Sequence, residues 1–203
     1  MIAVVDYGVG NLFSLRGSLG AVGAETLVTG EAEALRRAEK IVLPGVGAFG
    51  DAAAKLRALG LDSVLREEAA KGKPLLGICL GMQLLFERSF EYGEHAGLGL
   101  IPGCVRALSG HIPADFPIPQ IGWNALHLKN GGGPLLRDVR EGDYVYFVHS
   151  YYAADCEESV IADTDYGASV TAAVQRGNVY GCQFHPEKSG AVGMKILKAF
   201  CEV

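Results

Sequence analysis

The 203-residue sequence contains no Cys-x-x-Cys and no His-Glu-x-x-His, so neither a zinc site nor a dithiol redox motif is indicated. Its five cysteines, at positions 79, 104, 156, 182 and 201, are odd in number and widely spaced, which argues against a disulfide framework. Long hydrophobic runs are missing. The longest, Pro74 to Phe86 ("PLLGICLGMQLLF"), falls short of the ~20 residues a membrane span requires. The N-terminal "MIAVVDYG" lacks a basic lead segment and meets Asp6 at once, so no secretory signal is expected there and the expected location is the cytoplasm, with no membrane partner. Basic clusters are also missing. Only Arg36 and Arg37 are adjacent and the net charge is −5, so nothing suggests a nucleic-acid partner. With 49% hydrophobic and 20% charged residues the chain is too apolar for disorder, and its length suits one domain, residues 1–203.

What is present is an alternation of short apolar runs and amphipathic segments. Ile2 to Val5, Glu25 to Val28, Lys40 to Leu43 and Leu75 to Ile78 read as buried strands. Between them, helices are expected from Asn11 as a cap, over 31–38, over 51–59 and over 62–70, with another beginning at Leu80 and running to Phe86. Such βα alternation predicts an α/β fold with an open, mostly parallel sheet flanked by helices. After about residue 97 the pattern changes to short segments bounded by Gly and Pro, which predict an antiparallel extension in the C-terminal half. "QRGNV" predicts a hairpin turn at Gly177-Asn178, and a terminal helix carries Val192, Ile196, Leu197 and Phe200.

Gly77-Ile78-Cys79-Leu80-Gly81 has the spacing of a nucleophile elbow with Cys in place of Ser. Glycines two residues to either side let a strand and a helix approach without a Cβ clash, and the sharp turn pushes the central side chain out at the sheet edge. A thiol there lies at a helix N-terminus, which favours the thiolate, and the amide of Leu80 is placed to bind an oxyanion. The competing reading is a structural cysteine in a core strand.

A nucleophilic cysteine needs a base, and the base an orienting group. His111, His127 and His149 have no carboxylate within three residues, and His95 follows Glu94 in a polar stretch that reads as a solvated loop. His185 follows the apolar run "VYGCQF" and precedes Pro186-Glu187. Proline pushes the residue before it into an extended conformation, and residues i and i+2 of an extended chain point the same way, so Glu187 can sit beside the imidazole. The competing reading is a surface histidine before a proline turn. "PGVGAFG" (44–50) directly follows a strand, where loops line the ligand crevice of α/β sheets, and its glycines can turn backbone amides toward an anion. By itself such a loop is weak, and "DYGVGN" is no dinucleotide fingerprint, because Phe13 takes the place of its third glycine.

"GICLGMQLLF", "QFHPEKSG" and "PGVGAFG" together resemble the class I (triad) glutamine amidotransferases. More narrowly, "DYGVGNL", "PGVGAFG", "IPQIGWN", "YFVHSYY" and "QFHPEKSG", in that order from residue 6 to 190, resemble the glutaminase subunits of the imidazole glycerol phosphate synthases. The resemblance implies a Cys79, His185, Glu187 triad that hydrolyses glutamine through a thioester. It implies an oxyanion site at Leu80 and Gly45-Val46-Gly47, and glutamine contacts from Gln83 and His149-Ser150-Tyr151. It implies a separate cyclase subunit, a (β/α)8 barrel, as heterodimeric partner that receives the ammonia, with Asn11, Tyr146 and Lys188 as interface candidates. It implies no metal and no organic cofactor. Two alternatives stay open: a glutaminase for another synthase, which co-purification would reveal, and an inert interaction subunit that keeps the elbow for packing, which a thiol-reactivity assay would reveal.

Overall fold

The computed structural model describes residues 1–203, the side chain of Asn130 excepted. Its first half runs β1 (Ile2–Val5), α1 (Leu12–Ala21), β2 (Thr26–Thr29), α2 (Ala32–Arg37), β3 (Lys40–Leu43), α3 (Phe49–Ala58), α4 (Leu61–Ala70), β4 (Leu75–Ile78) and α5 (Leu80–Leu84). The second half contains β5 (Phe86–Ser89), β6 (His95–Ala96), β7 (Ile101–Ala107), β8 (Gln120–Ala125), β9 (His127–Leu128), β10 (Tyr144–His149), β11 (Tyr151–Ala154), β12 (Val160–Asp165), β13 (Ser169–Arg176), β14 (Val179–Cys182) and α6 (Gly190–Glu202).

Eight strands form the central sheet in the order β2-β1-β3-β4-β14-β13-β12-β9, in which β2, β1, β3, β4 and β14 are parallel and the last three run antiparallel to their neighbours. The mixed α/β architecture expected from the pattern is therefore present. Alternate residues of the parallel strands serve opposite faces, as a sheet buried on both sides requires. Ala3, Val5, Ile41 and Leu43 pack with Leu35, Leu56 and Leu65 of α2, α3 and α4. Ile2, Val4 and Val42 pack with Leu15 and Leu19 of α1 and with Ile196 and Phe200 of α6. Asn11 caps α1 by accepting a hydrogen bond from Ser14 N at 3.4 Å.

Three expectations need correction. The apolar run after the elbow does not stay helical to Phe86. α5 ends at Leu84, and Phe86 opens β5, which joins a separate four-stranded sheet in the order β11-β7-β5-β6. The turn at Gly177-Asn178 does make the β13–β14 hairpin, but β14 also adds to the parallel sheet beside β4, with Cys182 opposite Ile78. The stretch around His95 is solvent-exposed as expected, at Tyr92, Gly93, Glu94 and Ala96, but it is not all loop. It forms β6, paired with β5 through Ser89 and His95, and the imidazole lies so close to Gly50 that a Cβ there would meet the ring at 2.8 Å. Helix and strand ends otherwise differ from expectation by one or two residues.

Candidate active site

Strand order builds the site. β3, β4 and β14 are adjacent and parallel, so their C-terminal ends open onto one edge of the sheet. The register sets Leu43 opposite Gly77 and Cys182 opposite Ile78. The loop from Pro44, the elbow at Cys79 and the segment leading to His185 therefore emerge side by side. This is the crevice at strand ends where open α/β sheets bind ligands.

The elbow is sharp. Cys79 adopts φ 55°, ψ −114°, a conformation that costs a non-glycine residue about 1–3 kcal/mol. Packing around the two glycines imposes it. A Cβ on Gly81 would lie 1.9 Å from the carbonyl oxygen of Leu43, and one on Gly77 would lie 2.6 Å from the carbonyl oxygen of Gly81. Leu80, as the first residue of α5, has an N–H without an intrahelical acceptor. α5 is only five residues long, so the local amides rather than a long helix dipole act on Cys79.

His185 takes an extended conformation, φ −99°, ψ 99°, as the proline after it demands. Its Nδ1–H donates to Glu187 Oε1 at 2.8 Å, and both side chains are about 4% exposed. Glu187 reaches the ring from a 3-10 turn, Pro186–Lys188, rather than from an extended strand. The backbone of His185 is clamped as well: its N–H donates to Tyr146 O at 3.0 Å, and Ser189 Oγ donates to its carbonyl at 2.6 Å. Burial pulls the imidazolium pKa down. Hydrogen bonds to Cys79 and Glu187, with the charges on both, outweigh that pull and raise it to about 9. His185 is thus held as a proton donor between a sulfur and a carboxylate. The other four thiols, of Cys104, Cys156, Cys182 and Cys201, are each pushed up by burial, that of Cys156 to about 12, which leaves them poor nucleophiles.

A cavity of about 510 Å³ opens over Cys79 and His185, within the range of small-molecule sites. Val46, Gly47, Leu80 and Gln83 line it, as does the 149–151 segment, whereas Gly45 and Glu187 stand behind its wall. Gly45 is pressed against the elbow: a Cβ there would lie 2.8 Å from Gly81 N and 2.9 Å from Tyr7 Oη. Gly47 has φ 97°, open to glycine and strained for other residues. His149 is a neutral acceptor at physiological pH. Burial lowers its pKa to about 4, opposed by the bond to Tyr151 O and assisted by His185. Its Nδ1–H donates to Tyr151 O at 2.8 Å, and Nε2 is buried with no partner among the described residues.

The structure adds residues that no local spacing announces. Tyr7, from "DYGVGNL", is buried and donates its hydroxyl to Pro44 O at 2.8 Å, which anchors the 44–47 loop. Glu91 lines the cavity, and its Oε2 accepts from Phe49 N at 2.6 Å at the start of α3. A carboxyl group on the cavity wall is one that a ligand ammonium could match. Tyr92, 86% exposed, stands at the rim beside Tyr151, ring centroids 6.3 Å apart. A second histidine–carboxylate pair, His127 with Glu141 at 2.8 Å, is solvent-exposed and does not line this cavity. The arrangement brings together a thiol, an imidazole hydrogen-bonded to a carboxylate, free amides at the elbow and polar groups around a cavity of amino-acid size. That set fits acyl transfer from an amide.

The family model described as Glutamine amidotransferase class-I matches residues 3–203. "Imidazole glycerol phosphate synthase subunit HisH" of Oceanobacillus iheyensis is 48% identical over 204 residues, covering 100% of this chain and 99% of that protein. The protein of the same name from Wolinella succinogenes is 47% identical over 211 residues, with all of both chains covered. Among solved structures, one described as "Crystal structure of glutamine amidotransferase" superposes with a TM-score of 0.77 at 20% identity, covering 100% of this chain and 98% of that one. "Structure of PurLQS from Thermotoga maritima" gives 0.78 at 23% identity, covering 99% and 97%. At those identities the two structures speak for the fold alone. The match over nearly every residue, with full-length relatives at almost half identity, shows that the chain belongs to the class I glutamine amidotransferases.

Proposed function

We propose that this chain is the glutaminase subunit of an imidazole glycerol phosphate synthase in histidine biosynthesis, acting in the cytoplasm as one domain over residues 1–203. The observation that carries the reading is the end-to-end similarity to subunits of that synthase. The cavity supports the chemistry. Glutamine enters with its α-ammonium toward Glu91 and the carbonyl of Gln83, and its carboxamide over Cys79. The 149–151 segment closes the remaining side. Cys79 Sγ attacks the carboxamide carbon, and the oxyanion is held by Leu80 N–H and an amide of Gly45-Val46-Gly47. The tetrahedral adduct collapses with cleavage of the C–N bond while His185 gives its proton to the departing nitrogen, releasing ammonia and leaving a γ-glutamyl thioester. His185, now neutral, takes a proton from water, which attacks the thioester and releases glutamate and the sulfur. Glu187 orients the ring through both steps.

Ammonia is delivered to a separate cyclase subunit of (β/α)8 barrel type in a heterodimer, where imidazole glycerol phosphate and aminoimidazole carboxamide ribotide are made. Exposed apolar residues support a docking face beside the site. Trp123 and Tyr144 on the β8–β10 ribbon are 52% and 58% exposed. Trp123 packs edge-on against Tyr146 at 6.0 Å, Lys188 Nζ lies 5.9 Å above the Tyr146 ring, and Tyr146 O accepts from His185 N. The test is glutamate release by the chain alone, with a cyclase of this pathway, and with the cyclase and its substrate. Stimulation by the liganded cyclase is expected. Equal stimulation by an unrelated synthase, or glutamate release that never responds to the cyclase, would overturn the partner assignment.

A further inference from the structure

Gln183 is completely buried, between Cys182 and Phe184, yet has no part in the reaction just described. A carboxamide shut off from water is costly unless its polar groups are paired, and a core position of this kind suits an apolar side chain better. Its partners are specific. Gln83 Nε2 donates to the backbone carbonyl of Tyr151 at 2.9 Å and to Gln183 Oε1 at 3.0 Å. Gln183 Nε2 then faces Cys79 Sγ at 3.8 Å. The orientation of both amides follows from one fixed group. A backbone carbonyl can only accept, so Gln83 must turn its NH2 toward Tyr151. The same NH2 meets Gln183 through its oxygen, and the NH2 of Gln183 is left to point at the sulfur. Both amide hydrogens of Gln83 are thereby engaged, which leaves its own carbonyl oxygen for the cavity it lines.

We propose that Gln183 is a positioning residue for the nucleophile: its Nε2–H donates to Cys79 Sγ, and Gln83 ties that donor to the glutamine-binding wall. A neutral thiol is a weak acceptor, whereas a bond to an ionised sulfur is charge-assisted and stronger. His185 and the Tyr7 hydroxyl also face this sulfur, and the Val148 carbonyl oxygen lies 3.9 Å away as an acceptor for the S–H, so the Gln183 donor is the contact that favours the thiolate against that acceptor and fixes the direction of the attacking sulfur. Gln83 is thus both a glutamine contact and the brace that keeps Gln183 from rotating its oxygen toward the sulfur, where it would oppose ionisation.

The inference rests on Cys79 being the nucleophile, and one experiment separates the two claims. The full-length chain is alkylated with iodoacetamide over a range of pH, and the Cys79 peptide is quantified by mass spectrometry, with Cys79→Ala as background. Wild type is compared with Gln183→Met, which keeps the volume without the donor, and with Gln183→Glu, which keeps an acceptor for Gln83 but turns an oxygen to the sulfur. Folding is checked by circular dichroism. The alkylation midpoint is expected to move to higher pH by about one unit in Gln183→Met, and further in Gln183→Glu. A folded variant of either kind with the wild-type midpoint overturns the proposal. A readout that needs no substitution is the side-chain NH2 resonance of Gln183 in the wild-type chain. It is expected to titrate at the alkylation midpoint, and a resonance that stays fixed through that pH overturns the proposal equally. Absence of alkylation at Cys79 in the wild type would instead remove the nucleophile assignment on which the proposal stands.

Discussion

Replacing Glu187 by glutamine tests how the proton on His185 is held. The carboxylate accepts from His185 Nδ1 at 2.8 Å in a buried setting, and the imidazolium is raised from 6.5 to about 9 against the downward pull of burial. After burial, the largest contributions come from the bonds to Cys79 and then Glu187, followed by the charges on each. An opposite charge at this range typically supplies about 1–3 units. The side-chain amide introduced by Glu187→Gln still accepts from Nδ1 but carries no charge, so the imidazolium should fall by about 1–2 units, or roughly 1.4–3 kcal/mol of lost preference for the protonated ring. The direction is fixed. His185 must be protonated to expel ammonia, and a group with a raised pKa keeps its proton up to that pKa and loses it as pH rises through it. Wild-type kcat/KM for glutamine should therefore hold up to about pH 9, whereas Glu187→Gln should decline from about pH 7–8. The assay is glutamate release across pH 6 to 10 in the presence of the partner, so that turnover is measurable throughout. The deficit of the variant should be small near pH 6 and grow with pH. An unchanged alkaline limb, or a deficit confined to acid pH, would refute the claim that Glu187 stabilises the protonated ring.

His185→Ala should lose more turnover than Glu187→Gln at neutral pH, because the carboxylate acts only through the ring; loss of the orienter costs up to ~10⁴-fold in a serine triad, and a thiolate depends on it less. Matched turnover numbers in the reverse order would make Glu187 the proton-transfer group. Gly81→Ala places a Cβ 1.9 Å from Leu43 O and should destabilise the fold by about 3 kcal/mol or more, read as a lower midpoint of thermal unfolding; an unchanged midpoint would mean the elbow is looser than its packing indicates. A Cβ at Gly47 would meet no atom within 4 Å, so Gly47→Val acts chiefly on the backbone, held at φ 97° where a β-branched residue is strained. It should blunt the stimulation by the liganded cyclase, expected at about 10²–10³-fold if one oxyanion donor is supplied on binding, and leave complex formation intact. Full stimulation in that variant would remove the loop from the coupling.

The βα alternation and the elbow were legible in the sequence because both are local. Val4 and Val42 serve one face of the sheet and Val5 and Leu43 the other, which appears in the chain as unbroken apolar runs. The Gly-x-Cys-x-Gly spacing is local, as is the clash that Gly77 avoids with Gly81 four residues on, whereas Gly81 avoids one with Leu43 on the neighbouring strand. His185 and Glu187 are two residues apart, so their pairing needed no tertiary information. What stayed hidden depends on strand order. Nothing in "VYGCQF" says that β14 lies beside β4, and only that adjacency carries His185 and Gln183 to Cys79. Glu91 follows a strand that the apolar run at Leu84-Leu85-Phe86 disguised as helix, and Tyr7 acts on Pro44 across 37 residues of chain. For the same reason no carboxylate stands near His127 in sequence, and Glu141 meets it only through the fold.

The central claim is that glutamine is hydrolysed through a covalent bond to Cys79, and acid quenching during turnover tests it most directly. The chain, bound to the cyclase and its substrate, is mixed with glutamine, quenched within one turnover and digested at acid pH. The account predicts a γ-glutamyl adduct on the peptide carrying Cys79 and on no peptide carrying Cys104, Cys156, Cys182 or Cys201. It also predicts that Cys79→Ala forms neither adduct nor glutamate. An adduct on another cysteine, or glutamate formed at the wild-type rate by Cys79→Ala, would contradict it.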